Sequence, residues 1–229
     1  MNFMKVHGLL PAAGQAMRLR RLPKFLLPCD GDATTLIEKH IEQMSDICEI
    51  IWLPVRPDLI SLVHDLNLGP KIIPVALSTK TMSETVLRVG QISGADKFLL
   101  GMPDTVFVGE SPYISIADML ETSSLALALW ETASSQRGKV GAVAIENRKI
   151  VSSVDKDLKT EHPYHWGAMA FDRQFLSLLE PEMPHTGYVI SKYIEQDLEI
   201  NWHLTQGEYF DCGTFAEYRR FLRINSAAL

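Results

Sequence analysis

The chain has 229 residues, 46% hydrophobic and 22% charged, and its 22 basic and 28 acidic side chains leave a net charge of −6. This length suits one elaborated domain that buries roughly 70–75% of its unfolded surface, and the acidic balance weighs against a broad nucleic-acid footprint. Cys29, Cys48 and Cys212 lack paired spacing and read as reduced thiols, no apolar run approaches the ~20 residues of a membrane helix, and residues 1–10 are too short for a signal peptide. The expectation is a soluble cytoplasmic protein without nucleic-acid or membrane partners.

Residues 5–10 read as a short strand ending at Pro11. Residues 36–44 read as a helix, because Leu36, Ile37, Ile41 and Met44 fall at helical spacing. Residues 47–55 are a buried-strand run, 58–66 return to helical spacing, 71–77 are a strand, 83–92 a helix and 97–100 a strand. This alternation predicts an α/β domain with a mixed, mainly parallel sheet and helices on both faces. The second half changes character: residues 124–131, 141–145, 150–154 and 165–171 are β-like, with a hairpin turn at 146–149. Helices follow at 173–179 and 189–198, then a strand at 208–211 and a helix at 215–224 that Thr214 caps. Residues 133–138 are the candidate mobile loop.

The strongest local signal is Leu9-Leu10-Pro11-Ala12-Ala13-Gly14-Gln15-Ala16-Met17-Arg18-Leu19, followed by Leu22-Pro23-Lys24. Small side chains let backbone N–H groups approach a phosphate, and glycine permits the turn. Arg18 can grip phosphate oxygens bidentately, and Lys24 adds a compact point charge. An ordinary strand–turn–helix with two surface cations is an equal reading on these residues alone. The segment is neither a P-loop nor a three-glycine dinucleotide fingerprint.

With its neighbours, the segment resembles the signature of the sugar nucleotidyltransferases: an apolar strand, A-A-G-x-G-x-R-L and a nearby P-K. Ala12, Ala13, Gly14, Arg18, Leu19, Pro23 and Lys24 match it; Ala16 and Met17 depart from it. Further landmarks follow in order. Leu99 through Thr105 resembles the strand-end motif with a metal-binding aspartate, here Asp104. Val151 through Lys156 resembles the strand ending in an acid–lysine pair, Asp155-Lys156. Tyr164 through Met169 resembles the segment whose glycine meets the sugar, Gly167. Asp211-Cys212-Gly213-Thr214 resembles the D-x-G-T motif whose aspartate completes the metal site.

The resemblance implies a single-domain, Rossmann-like (GT-A-like) fold, with a nucleotide-binding N-terminal half and a sugar-binding C-terminal half. It implies nucleotide contacts at Leu10, Ala12, Ala13, Gly14 and Ser83, and catalytic cations at Arg18 and Lys24. It implies acceptor contacts at Gly141, Asp155, Lys156 and Gly167, and Mg²⁺ held by Asp104 and Asp211. The implied reaction joins an NTP, dTTP or UTP favoured, to a sugar 1-phosphate with release of pyrophosphate, in a protein open to homo-oligomer formation. Plainer roles compete residue by residue. Asp104 and Asp211 also suit turn or cap positions, Lys156 suits a solvated charge run, and Ser83 with Glu84 suits a helix start. Two other functions stay open: a cytidylyltransferase acting on a polyol or aminoalcohol phosphate, and a non-catalytic nucleotide-sensing homologue. His162 and His165 lack further ligands for a zinc site, and Trp166 reads as a packing residue.

Overall fold

The computed structural model describes residues 5–14 and 22–225. The first half runs β1 (Val6–Leu9), α1 (Leu36–Met44), β2 (Ile50–Val55), α2 (Ile60–Asp65), β3 (Ile72–Ala76), α3 (Met82–Ser93) and β4 (Lys97–Gly101). Then come β5 (Thr105–Gly109), α4 (Pro112–Met119), β6 (Leu125–Glu131), β7 (Gly141–Glu146), β8 (Lys149–Asp155) and β9 (Tyr164–Asp172). The chain closes with α5 (Arg173–Leu178), α6 (Tyr188–Glu195), β10 (Asn201–Leu204), β11 (Gly207–Asp211) and α7 (Phe215–Asn225).

Among the described residues, nine strands form one sheet along the path β10–β6–β9–β4–β1–β2–β3, with β7 beside β9 and β8 beside β7. Strands β3, β2, β1 and β4 are mutually parallel, as βαβ crossovers require, and β10 is parallel to β6. Strand β9 runs antiparallel between β4 and β6 and joins the two halves. The hairpin predicted at residues 146–149 is the β7–β8 turn, where Asn147 and Arg148 both take positive φ.

The period of two along each central strand sorts the core onto both faces of the sheet. Leu99, Ala126, Ala128, Ala168 and Ala170 point to one side, where α1 and α4 pack through Ile37, Ile41, Tyr113 and Ile116. Phe98, Leu100, Leu127, Met169 and Phe171 point to the other, against Val86, Val89, Phe175 and Tyr193 of α3, α5 and α6. Thr35 caps α1 in a capping box with Glu38, and Thr214 accepts the Glu217 N–H at the start of α7 as predicted. No helix among the described residues is long and apolar enough to cross a membrane.

Three elements went unread in the sequence: β5, α4 and β10. Strands β5 and β11 form a separate antiparallel ribbon. A third apolar cluster, in which Val106 and Phe210 meet Tyr218 and Phe221 of α7, covers that ribbon. The cap of α3 is also corrected. Thr81 accepts the Glu84 N–H at 3.0 Å, while Ser83 lies inside the helix and is fully buried. Thr81 holds an extended backbone, which a capping position needs and Ser83, already helical, does not have.

Candidate active site

Strand β4 ends at Gly101, and a tight turn then presents Asp104. The N–H and Oγ1–H of Thr105 both donate to the Met102 carbonyl, at 3.0 and 2.8 Å. Below this turn the buried His40 receives the Tyr113 hydroxyl on Nδ1 at 2.6 Å and donates from Nε2 to the Thr105 carbonyl at 3.0 Å. Burial pushes the His40 pKa down to about 4, so the ring is neutral and serves as a fixed strut. The β5–β11 register sets Asp211 opposite Thr105, and the Cys212 N–H donates to the Asp104 carbonyl at 2.8 Å. Two aspartates 107 positions apart in sequence thereby share one end of the sheet.

Asp211 and Asp104 face the same cavity, and Lys24 Nζ lies 2.8 Å from Asp104 Oδ2. Burial first, and then the negative charge of Asp104, push the Asp211 carboxyl up to about 6. The Gly213 N–H, bonded to Asp211 Oδ1 at 2.7 Å, offsets part of that shift. A buried carboxylate whose charging a second carboxylate opposes fits a hard divalent cation, which takes oxygen ligands. No group of three or more His, Cys, Asp and Glu side chains suited to a metal occurs among the described residues. An ion held here would therefore complete its shell with water or ligand oxygens.

The shared cavity measures about 360 Å³. Its walls carry Met82, Met102, Gly141, Asp155, Lys156, Trp166 and His185, besides the two aspartates. Asp155 ends β8, and Lys156 follows it at φ 50°. Burial raises the Asp155 carboxyl, but His185 and the charge of Lys156 outweigh it and hold the group below the usual carboxylate range. A smaller cavity of about 100 Å³ lies behind, lined by Ala12, Gly14, Pro23, Lys24 and Arg56. Asp104 belongs to both cavities and Lys24 bonds to it, so the Gly14 loop and the larger chamber meet at that pair.

The sequence-predicted residues divide cleanly. Asp104, Asp211, Gly141, Asp155 and Lys156 line the larger cavity, and Ala12, Gly14 and Lys24 the smaller. Arg18 lies outside the described residues. Leu10 is fully buried and its N–H is spent on the Trp52 carbonyl, so its contribution is to the core. Ala13 is buried beside Ala12. The Ser83 hydroxyl is buried without a partner among the described residues and lines neither cavity. Gly167 also lines neither cavity; a Cβ there would stand 2.6 Å from the Tyr209 ring and 2.7 Å from that of Trp130. Its smallness serves packing of the ribbon on the sheet. Trp166, read as packing, is buried but also walls the cavity, and His185 was missed altogether. A lone histidine between Pro184 and Thr186 carries no motif that local sequence could reveal.

No protein-family profile matches the chain, and no curated protein does. Solved structures do. A protein from Bacillus anthracis assigned as a glucose-1-phosphate thymidylyltransferase, in complex with a sucrose, superposes with a TM-score of 0.81 at 17% identity, over 96% of this chain and 94% of that one. A UDP-glucose pyrophosphorylase complexed with UDP-glucose gives a TM-score of 0.82 at 16% identity, over 99% and 100% of the two chains. The chain has the sugar nucleotidyltransferase fold. An inositol-1-phosphate CTP transferase from T. maritima has it too, with a TM-score of 0.76 at 16% identity over 97% and 96%. Within this nucleotidyltransferase fold, the Gly14 loop follows β1, and the Asp104–Asp211 pair lies at the carboxyl end of β4, where open α/β sheets bind ligands.

Proposed function

We propose that the protein is a sugar-1-phosphate nucleotidyltransferase, with dTTP or UTP as donor. The observation that carries the reading is the convergence of Lys24, Asp104 and Asp211 where the Gly14 cavity meets the larger chamber. The donor triphosphate would enter over Ala12, Ala13 and Gly14, whose small side chains permit close backbone approach. The sugar 1-phosphate would occupy the larger chamber between Gly141, Asp155, Lys156 and Trp166, its phosphate toward Lys156.

An acceptor phosphate oxygen attacks the α-phosphorus of the NTP. The new O–P bond forms as the bond to the bridging oxygen of pyrophosphate breaks, and the electron pair leaves with pyrophosphate. The acceptor is already an anion near pH 7, so no general base is needed. The chain's task is to bring two anions together and neutralise the charge. Lys24 is held by Asp104 at the junction and turns toward the transferring phosphate, while Arg18 stabilises the leaving pyrophosphate. Asp104 and Asp211 would hold Mg²⁺, which when bound supplies charge neutralisation and a template for phosphate oxygens.

A second reading keeps the site and changes the substrates. The likeness to an inositol-1-phosphate CTP transferase supports CTP as donor and a polyol phosphate as acceptor. One assay separates them: pyrophosphate release measured across the NTPs against sugar 1-phosphates, inositol 1-phosphate and phosphocholine, with Mg²⁺ and with EDTA. Release from dTTP or UTP with a sugar 1-phosphate supports the first reading. Release confined to CTP supports the second, and silence across the panel refutes both.

A further inference from the structure

We propose that His185 selects the acceptor: it positions Asp155 so that this carboxylate and the Trp166 indole N–H together read the hydroxyls of a sugar or cyclic polyol ring. The proposal rests on the nucleotidyltransferase reading and narrows its acceptor class. His185 reaches the cavity from the segment between α5 and α6, far in sequence from every recognisable motif. That segment is pinned to the start of α3, where Thr81 Oγ1 donates to the Pro181 carbonyl at 2.5 Å and the Met82 N–H to the Pro184 carbonyl at 3.2 Å. The imidazole is flanked by the rings of Tyr188 and Trp166, with centroids at 4.8 and 6.3 Å.

Its chemistry is set by one backbone contact. The Gly187 N–H donates to Nδ1 at 3.1 Å, so the proton of the neutral ring sits on Nε2. Nε2 lies 2.7 Å from Asp155 Oδ2. Nε2 is buried and the carboxylate lies off the N–H axis, so the contact is electrostatic rather than a formed hydrogen bond. With one carboxylate oxygen engaged by His185, the other is left to accept from the ligand. The neighbouring partner is a donor: Trp166 Nε1 stands over Gly141, the residue paired with Asp155 across β7–β8, only 2.2 Å from where a Cβ would be.

An acceptor oxygen beside a donor N–H matches a hydroxyl, which both gives and takes a hydrogen bond. An aminoalcohol's ammonium offers nothing to the indole N–H, but the carboxylates of Asp104, Asp155, Asp211 and Glu217 outnumber Lys139 and Lys156 around the chamber, so phosphocholine is the control that decides this choice. A caged quaternary ammonium also wants exposed aromatic faces, whereas Trp166 is 7% exposed. The hydroxyl match therefore points to a polyhydroxylated ring with its phosphate toward Lys156.

The test uses the full chain with His185→Ala and His185→Gln. Pyrophosphate release gives kcat and the two KM values, and calorimetry with glucose 1-phosphate and phosphocholine gives binding without turnover. His185→Ala should raise the KM for the phosphorylated ring, and weaken glucose 1-phosphate binding, by at least ~10-fold, the usual scale for removing one partner of a charged group. The KM for NTP should move less than ~2-fold. His185→Gln, which keeps an N–H donor, should recover most of the loss; a merely structural role would not separate the two variants this way. Equal losses for NTP and acceptor, an unchanged acceptor KM, or tighter binding of phosphocholine than of glucose 1-phosphate would overturn the proposal. Wild-type turnover with an unchanged acceptor KM in His185→Ala sinks His185 alone. Selective glucose 1-phosphate binding lost in His185→Ala, without turnover from any NTP, supports His185 and sinks the transferase reading.

Discussion

Replacing Asp211 by Asn should make the metal-free protein more stable while abolishing turnover. Asp211 titrates at about 6 in the fold against an ordinary value of 3.8, because burial and then the Asp104 charge disfavour its ionised form. A raised folded pKa means that the folded state holds its proton more tightly than the unfolded chain. Below pH 4 both states are protonated and the group contributes no difference. Between pH 4 and 6 a penalty on folding grows, and above pH 6 it is complete. Raising the carboxyl from 3.8 to about 6 corresponds to about 3 kcal/mol at pH 7–8. Asparagine removes the charge yet keeps an acceptor for the Gly213 N–H, which bonds to Asp211 Oδ1 at 2.7 Å. For a chain of this size each kcal/mol moves Tm by roughly 2–4 °C. Thermal unfolding in EDTA at pH 8 should therefore show Asp211→Asn several degrees above wild type, with the gap closing at pH 4. Millimolar Mg²⁺ should raise the wild-type Tm and leave the variant unmoved. If the variant is no more stable at pH 8 in EDTA, or the gap ignores pH, the two carboxylates do not share a poorly solvated site.

Lys24→Ala removes the cation 2.8 Å from Asp104, and with Arg18→Ala it should slow pyrophosphate release at least ~100-fold with the fold intact by circular dichroism; near-normal rates would remove both from catalysis. Lys156→Met should weaken sugar 1-phosphate far more than NTP in separate calorimetric titrations, and equal losses would return Lys156 to the solvated surface. Gly14 and Gly141 should part ways. A Cβ on Gly14 meets nothing within 4 Å, so Gly14→Ala should leave Tm within about 1 °C and any loss of NTP affinity reports close phosphate approach. A Cβ on Gly141 would stand 2.2 Å from Trp166 Nε1, so Gly141→Ala should displace the indole and raise the acceptor KM; an unchanged acceptor KM would place the acceptor elsewhere.

Much of the architecture was legible because it is written in local periodicity. Helical spacing marked α1, and its apolar positions Leu36, Ile37, Ile41 and Met44 are all buried. The runs around β4, β6 and β9 marked the central strands, whose alternate residues now separate two cores. Asp104 was legible as a strand-end carboxylate because a sheet's carboxyl end follows directly from where its strand stops. Capping by Thr214 was equally local.

What local sequence left undetermined depends on contacts between distant residues. The 105–109 stretch became a strand only by pairing with residues 207–211, and that register brings Asp211 to Asp104. Gly167 reads as a ligand contact by resemblance, and only the fold shows that its missing Cβ also makes room for the Tyr209 and Trp130 rings. Ser83 read as a helix start until Thr81 took the cap and the fold buried the Ser83 hydroxyl. His185 had no motif, and its place beside Asp155 follows from two hydrogen bonds that tie its segment to the start of α3, one from the Thr81 side chain and one from the Met82 backbone. Periodicity and capping are settled within a turn or two of chain, where few conformations compete. Which side chains share a cavity is settled by long-range strand pairing and packing, whose energetics no short window of sequence contains.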